Sequence, residues 1–149
     1  MHFEIQINAS PEKVWNTVVD HEKYREWTSV FHEGSYFEGG WETGDKIQFI
    51  ALNEKGEKEG MFSEIAESKK PRFISIRHLG TILGGKADTE GEAAKKWVPV
   101  YENYTLTPVG EGTKFEVDVD SFDASLDEMF SGIWPKALKK LKEVAEKQT

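Results

Sequence analysis

Apolar and polar residues alternate from the first residues of the chain. His2 to Asn8 places Phe3, Ile5 and Ile7 on one face, which predicts a strand. Ser10-Pro11-Glu12 then reads as a helix start. Ser10 can cap free backbone N–H groups, Pro11 suits the first helical position, and Glu12 meets the positive helix end. Val14, Trp15, Val18 and Val19 supply that helix's buried stripe, and His21 to Trp27 reads as a second short helix. Strand-like periodicity returns at Lys46 to Leu52, with Ile47, Phe49 and Ala51 on one face, after turn glycines at Gly39-Gly40 and Gly44. Asn53 to Gly56 predicts a hairpin turn into Glu59 to Glu67, and Lys69-Lys70-Pro71 breaks that strand. Arg72 to Leu79 puts Ile74, Ile76 and His78 on a common face. Trp97 to Thr107 does the same for Val98, Val100, Glu102, Tyr104 and Leu106, and Thr113 to Asp120 for Phe115, Val117 and Val119. Between them, Gly80 to Lys96 has no periodicity; irregular stretches of this length in compact domains are often functional or mobile.

The end of the chain changes period. Leu126, Met129, Phe130, Ile133, Trp134, Ala137, Leu138, Leu141 and Ala145 fall at helical spacing, with Asp127 and Glu128 early and lysines late, as the helix dipole prefers. Pro135 removes one backbone hydrogen bond, so a kink is expected between Ser131 and Pro135. The predicted order is a strand, two short helices, about six strands and one long helix. That is an α+β arrangement in which only the last helix is long enough to cover the sheet's apolar face. A strongly curved sheet of about six to seven antiparallel strands under one helix leaves a space between the two.

Composition narrows the functional classes. The 149 residues suit one domain, with 38% hydrophobic and 31% charged residues. The net charge of −8, from 19 basic and 27 acidic residues, opposes binding to nucleic acid or to an anionic membrane surface. No cysteine is present, which removes disulfides, thiolate zinc sites and thiol nucleophiles. No stretch approaches the roughly 20 apolar residues of a spanning helix, and no signal-peptide run is seen, so no membrane insertion and a cytoplasmic location are expected. The four histidines, His2, His21, His32 and His78, form no HExxH or i,i+4 pair, and no metal or cofactor is expected. The glycine pairs lack a phosphate-loop context, and no GxSxG elbow exists.

Several segments carry a family resemblance along nearly the whole chain. These are Ala9-Ser10-Pro11-Glu12-Lys13-Val14-Trp15, Glu38-Gly39-Gly40-Trp41-Glu42-Thr43-Gly44-Asp45, Phe73-Ile74-Ser75-Ile76-Arg77-His78-Leu79-Gly80, Tyr101-Glu102-Asn103-Tyr104-Thr105-Leu106 and Trp134-Pro135-Lys136-Ala137-Leu138. With the element order, they resemble the helix-grip fold of the SRPBCC or START-like superfamily. More closely, they are similar to a small bacterial group related to Hsp-ninety ATPase-activator homologues and polyketide cyclases. The resemblance implies a hydrophobic-ligand cavity beneath the last helix. It also allows transport, cyclisation, hydrolysis or chaperone-partner roles, because one scaffold carries many functions.

Candidate chemistry lies on the inward strand faces. If the strands of His78 and Glu102 are neighbours, then His78, Glu102 and Tyr104 meet inside an apolar space. A carboxylate beside an imidazole is a general-base couple; the alternative is a hydrogen-bonded pair that only orders the core. Cavity-wall candidates are Trp27, Phe31, Phe49, Phe62, Tyr104, Phe122, Phe130 and Trp134, joined by Ile76, Met129 and Ile133. Ordinary core packing is the competing reading for each. Trp41, Trp97 and Tyr101 stand apart. If exposed, Trp97 and Tyr101 would form a patch for a protein partner or a homodimer contact. Three functions therefore stay open: a binding module for a small hydrophobic molecule, a cyclase- or hydrolase-like acid–base enzyme, and a chaperone-associated interaction protein. Access to the cavity is expected through the 121–135 part of the last helix and the 80–96 loop.

Overall fold

The computed structural model describes residues 1–88, 100–120 and 124–147. The chain runs β1 (His2–Ile7), α1 (Pro11–Val19), α2 (His21–Trp27), β2 (Tyr36–Gly39), β3 (Lys46–Leu52) and β4 (Lys58–Lys69). It continues through β5 (Phe73–Leu83), β6 (Lys86–Asp88), β7 (Val100–Val109), β8 (Gly112–Val119) and α3 (Ala124–Glu146), and a 3-10 turn at Thr28–Val30 follows α2. Both short helices start where their caps dictate. The Ser10 hydroxyl accepts from the Lys13 N–H at 3.3 Å, and the Asp20 carboxylate accepts from the Lys23 N–H at 3.1 Å.

The strands form one antiparallel sheet in the order β1-β8-β7-β5-β4-β3-β2. Off this path, β6 pairs with Thr81–Leu83 at the end of β5, past the Phe73–His78 stretch that β7 occupies. Two of these strands, β2 and β6, escape the sequence pattern because each is four residues or fewer. The first sits beside turn glycines and the second inside the glycine-punctuated stretch after Gly80.

Curvature has a local cause. The β4–β5 ladder shifts register between Phe62 and Ser63 and again between Ile65 and Glu67. An extra residue on one strand bends it and increases its twist. Gly60 belongs to the same bend: its φ is +151°, and a Cβ there would lie 1.8 Å from the Phe49 carbonyl oxygen. The concave face turns toward the helices, giving the helix-grip fold that the sequence predicts.

The helix α3 runs unbroken through Pro135, whose ring is exposed. Its backbone approaches β1, α1, α2 and the 3-10 turn. Trp134, Ala137, Leu138, Leu141 and Ala145 are buried in the main core with Val14, Trp15 and Val18 of α1. Ile7, Ile65, Ile74, Ile76, Phe115 and Val117 meet them from the sheet. The helix is thus anchored over the β1 side. Among the described residues, no helix is long and apolar enough to cross a membrane.

Candidate functional site

Over the β3–β5 side, the space between sheet and helices holds a cavity of about 230 Å³. The early helices contribute Tyr24, Trp27, Thr28 and Phe31 to its wall, followed by His32 and Ser35. Tyr24 and Trp27 are three residues apart on α2, so one helical face aims both inward. From the sheet come Phe49, Met61, His78, Glu102, Tyr104 and Val119, and from α3 come Phe130 and Trp134. The rings touch one another in series. Phe49 stacks near Tyr24 at 6.2 Å, Tyr24 meets Trp27 edge-on at 5.6 Å, and Trp134 meets Phe31 edge-on at 4.9 Å. Such contacts hold the rings in fixed orientations.

One polar chain enters this apolar wall. Ser63, fully buried on β4, faces His78 of β5, and the Ser63 Oγ to His78 Nδ1 distance is 2.7 Å. His78 Nε2 lies 3.3 Å from Glu102 Oε1, and the Tyr104 hydroxyl donates to Glu102 Oε2. A carboxylate can only accept, so Nε2 carries the proton shared with Glu102. Ser63 occupies the other nitrogen. Both ring nitrogens of His78 are therefore engaged, whichever way the Ser63 hydroxyl points. The chain ends in the cavity at Glu102, whose side chain is 18% exposed. Each Glu102 oxygen keeps a lone pair beyond its bond to His78 or Tyr104.

Burial raises the Tyr104 hydroxyl far above the ordinary phenol range, with the Glu102 charge and hydrogen bond adding to it. Burial, and then the Glu102 charge, raise Tyr24 likewise. Both phenols are therefore proton donors at any working pH. Among the described residues, the buried Trp27 indole N–H has no hydrogen-bond partner.

The sequence-predicted residues distribute as follows. His78, Glu102 and Tyr104 are brought together, and Trp27, Phe31, Phe49, Phe130 and Trp134 border the cavity with them. Ile76 is buried in the main core and does not border it. Phe62 is half-buried and lies off the wall, because alternation along β4 turns its neighbours Met61 and Ser63 inward. Met129 is 46% exposed, one helical step of about 100° away from Phe130. Ile133 is half-buried and off the wall for the same reason relative to Trp134. Phe122 and Trp97 lie outside the described residues, as do positions 89–96 and 121–123 of the expected entrance. Trp41 packs against Tyr24, Phe37 and Phe49, and Tyr101 is half-buried. The sequence reading missed Ser63, Tyr24 and Met61. Extending the alternation along β4 to Met61, Ser63 and Ile65 would have found a hydroxyl among inward apolar positions.

A second polar group lies on the solvent side of β1 and β8. His2, Glu116 and Asp118 place one ligand atom each within 4.8 Å of one another. Ion pairs already engage them: His2 with Asp118 at 2.6 Å and with Glu4 at 2.9 Å, and Glu116 with Lys114 at 3.4 Å.

Comparison with known proteins now adds a family. Residues 8–146 match the family described as activator of Hsp90 ATPase homolog 1-like protein. The chain belongs to that family. The SRPBCC superfamily assignment made from the motifs stands with it. Among solved structures, protein MLL2253 from Mesorhizobium loti is similar, at 18% identity and a TM-score of 0.71. That match covers 100% of this chain and 98% of the other. The Aha1 dimer from Colwellia psychrerythraea matches at 16% identity and a TM-score of 0.68, over 98% of this chain and 95% of that one. DynU16, from the dynemicin biosynthetic locus, matches at 16% identity and a TM-score of 0.70, over 98% of this chain and 46% of its own. At such identities these likenesses establish the fold alone. No curated protein matches the sequence.

Proposed function

We propose that this family member binds a small hydrophobic molecule in the cavity between its sheet and α3. The observation that carries the reading is the cavity of about 230 Å³ walled by Trp27, Phe31, Phe49, Tyr104, Phe130 and Trp134. An apolar cavity of roughly 150 Å³ accepts benzene. The space here therefore suits a substituted ring or a short branched acyl chain. The test is native mass spectrometry of the purified chain, with organic extraction of whatever it carries. Copurification of an apolar compound, displaced by added ethylbenzene, supports the reading. A chain that carries nothing and takes up no apolar compound at millimolar concentration ends it.

A second reading, acid–base catalysis on the bound molecule, draws on the polar chain. Here Glu102 is the proton acceptor and His78 its positioning partner, because neither nitrogen of His78 is free. A bound carbonyl compound would be converted by the wild-type chain and returned unchanged by Glu102→Gln. Recovery of every bound compound unaltered from the wild-type chain excludes catalysis and leaves binding in place.

A further inference from the structure

Glu102 puts a carboxylate on the wall of an aromatic cavity. Its side chain borders the space and is only 18% exposed, so folding has already stripped it of most of its water. The Tyr104 hydroxyl and His78 Nε2 each hold one of its oxygens, and Ser63 holds His78 in turn. A hydroxyl and a neutral imidazole are dipoles: they orient the carboxylate and leave its charge in place. Aromatic rings adjoin this group. Phe49 meets the His78 ring edge-on at 6.0 Å, and Tyr24 lies 6.2 Å from Phe49. Tyr24, Phe49 and Tyr104 all border the cavity. We infer that the cavity takes an organic cation, an aromatic or short-chain amine whose ammonium group meets Glu102 while its apolar part lies among the rings. This inference rests on the binding function proposed above and names the ligand's chemical class.

The pairing follows from which charge has already left water. A carboxylate out of water is costly unless a partner neutralises it. The folded chain bears that cost before any ligand arrives, so on binding only the ligand's own desolvation opposes the new ion pair. An ammonium group donates, and each Glu102 oxygen keeps a lone pair beyond its present bond. Such charge-assisted hydrogen bonds are roughly twice as strong as neutral ones. The aromatic wall adds to this, because the negative face of a ring attracts a cation within about 6 Å, which an aliphatic wall cannot do. The Glu102 charge reaches Tyr24 as well: after burial, it is what raises that hydroxyl. At longer range the net charge of −8 draws cations toward the chain. A ligand carboxylate would instead set a second negative charge beside Glu102.

The experiment is a calorimetric titration of the full chain with four probes of similar shape: benzylamine, benzyl alcohol, ethylbenzene and benzoate. At about pH 8 an alkylamine is charged and a free imidazole is neutral. Benzylamine is expected to bind about tenfold more tightly than ethylbenzene, with benzyl alcohol between them and benzoate unbound. Benzylamine should also displace ethylbenzene, which an ammonium held on the acidic surface would not do. Glu102→Gln keeps the size of the side chain and removes its charge. In that variant the ratio of benzylamine to ethylbenzene affinity should fall about tenfold, to parity or below. The comparison on the wild-type chain stands whether or not the variant folds. Ethylbenzene or benzoate binding as tightly as benzylamine, or a benzylamine preference that survives in Glu102→Gln, overturns this inference and leaves the apolar cavity standing. Failure of all four probes overturns the cavity reading together with it.

Discussion

A carboxylate accepts and never donates, and this orders the buried polar chain residue by residue. Glu102 fixes the proton on His78 Nε2, and Ser63 then fixes the ring's other edge. Ser63 is thus a positioning residue: it is fully buried, and it does not border the cavity. Replacing Ser63 with Ala leaves Nδ1 of a buried imidazole without a partner. The expected loss is about 1–3 kcal/mol, the cost of an unsatisfied buried polar atom, read as a lower urea midpoint at unchanged slope. A midpoint equal to the wild-type value would mean that the Ser63 contact does not stabilise the fold. This residue also marks where sequence reading stops. Parity along β5 and β7 was enough to bring His78, Glu102 and Tyr104 together, because both strands alternate cleanly where they pair. On β4 the alternation turns Met61, Ser63 and Ile65 inward, so Phe62, a wall candidate by its aromatic ring alone, leaves that place to Met61. The His2 cluster is hidden for a related reason. Its members are neighbours only through the β1–β8 register, His2 opposite Asp118 and Glu4 opposite Glu116.

At the scale of elements, α3 has two ends with different tasks. Its C-terminal end is tied to the β1 exit: the Asn8 N–H donates to Glu146 Oε2 at 2.8 Å, and Lys142 pairs with the same carboxylate. The Lys142 hydrogen bond, followed by that of Asn8, holds the Glu146 carboxyl below the ordinary value of 4.5. A lowered folded-state pKa gives stability that is present above the unfolded value and is lost as pH falls through the folded one. Glu146→Gln should therefore lower the urea midpoint at pH 7, and its gap to the wild-type chain should close as the pH drops below 4.5. A gap independent of pH would assign the loss to packing instead. The N-terminal half of α3 reaches the cavity through Phe130 and Trp134, and Trp134 also touches Phe3, Trp27, Phe31 and Tyr104. The long helix, the capped short helices and the alternating strands were legible because each has a period or a cap of its own. The short β2 and β6 have neither, and they exist only as partners of β3 and β5.

For the whole molecule, the anchoring of α3 over β1 and the bend in β4 and β5 separate two regions of one interior. One is close-packed, from Val14 and Leu141 to Phe115. The other is the cavity under Phe130 and Trp134, where interior surface is left for a ligand to cover. A molecule that binds only the folded chain stabilises it by mass action, about 2.7 kcal/mol at a hundred times its Kd. For a chain of this length each kcal/mol raises Tm by roughly 2–4 °C, so ethylbenzene at that excess should raise it on the order of 5–10 °C. Benzoate at the same concentration should leave Tm in place, since the net charge of −8 and Glu102 both oppose it. The comparison separates occupancy from a general solvent effect, because the two probes share a ring and differ in charge. Equal shifts from both would mean that they act outside the cavity.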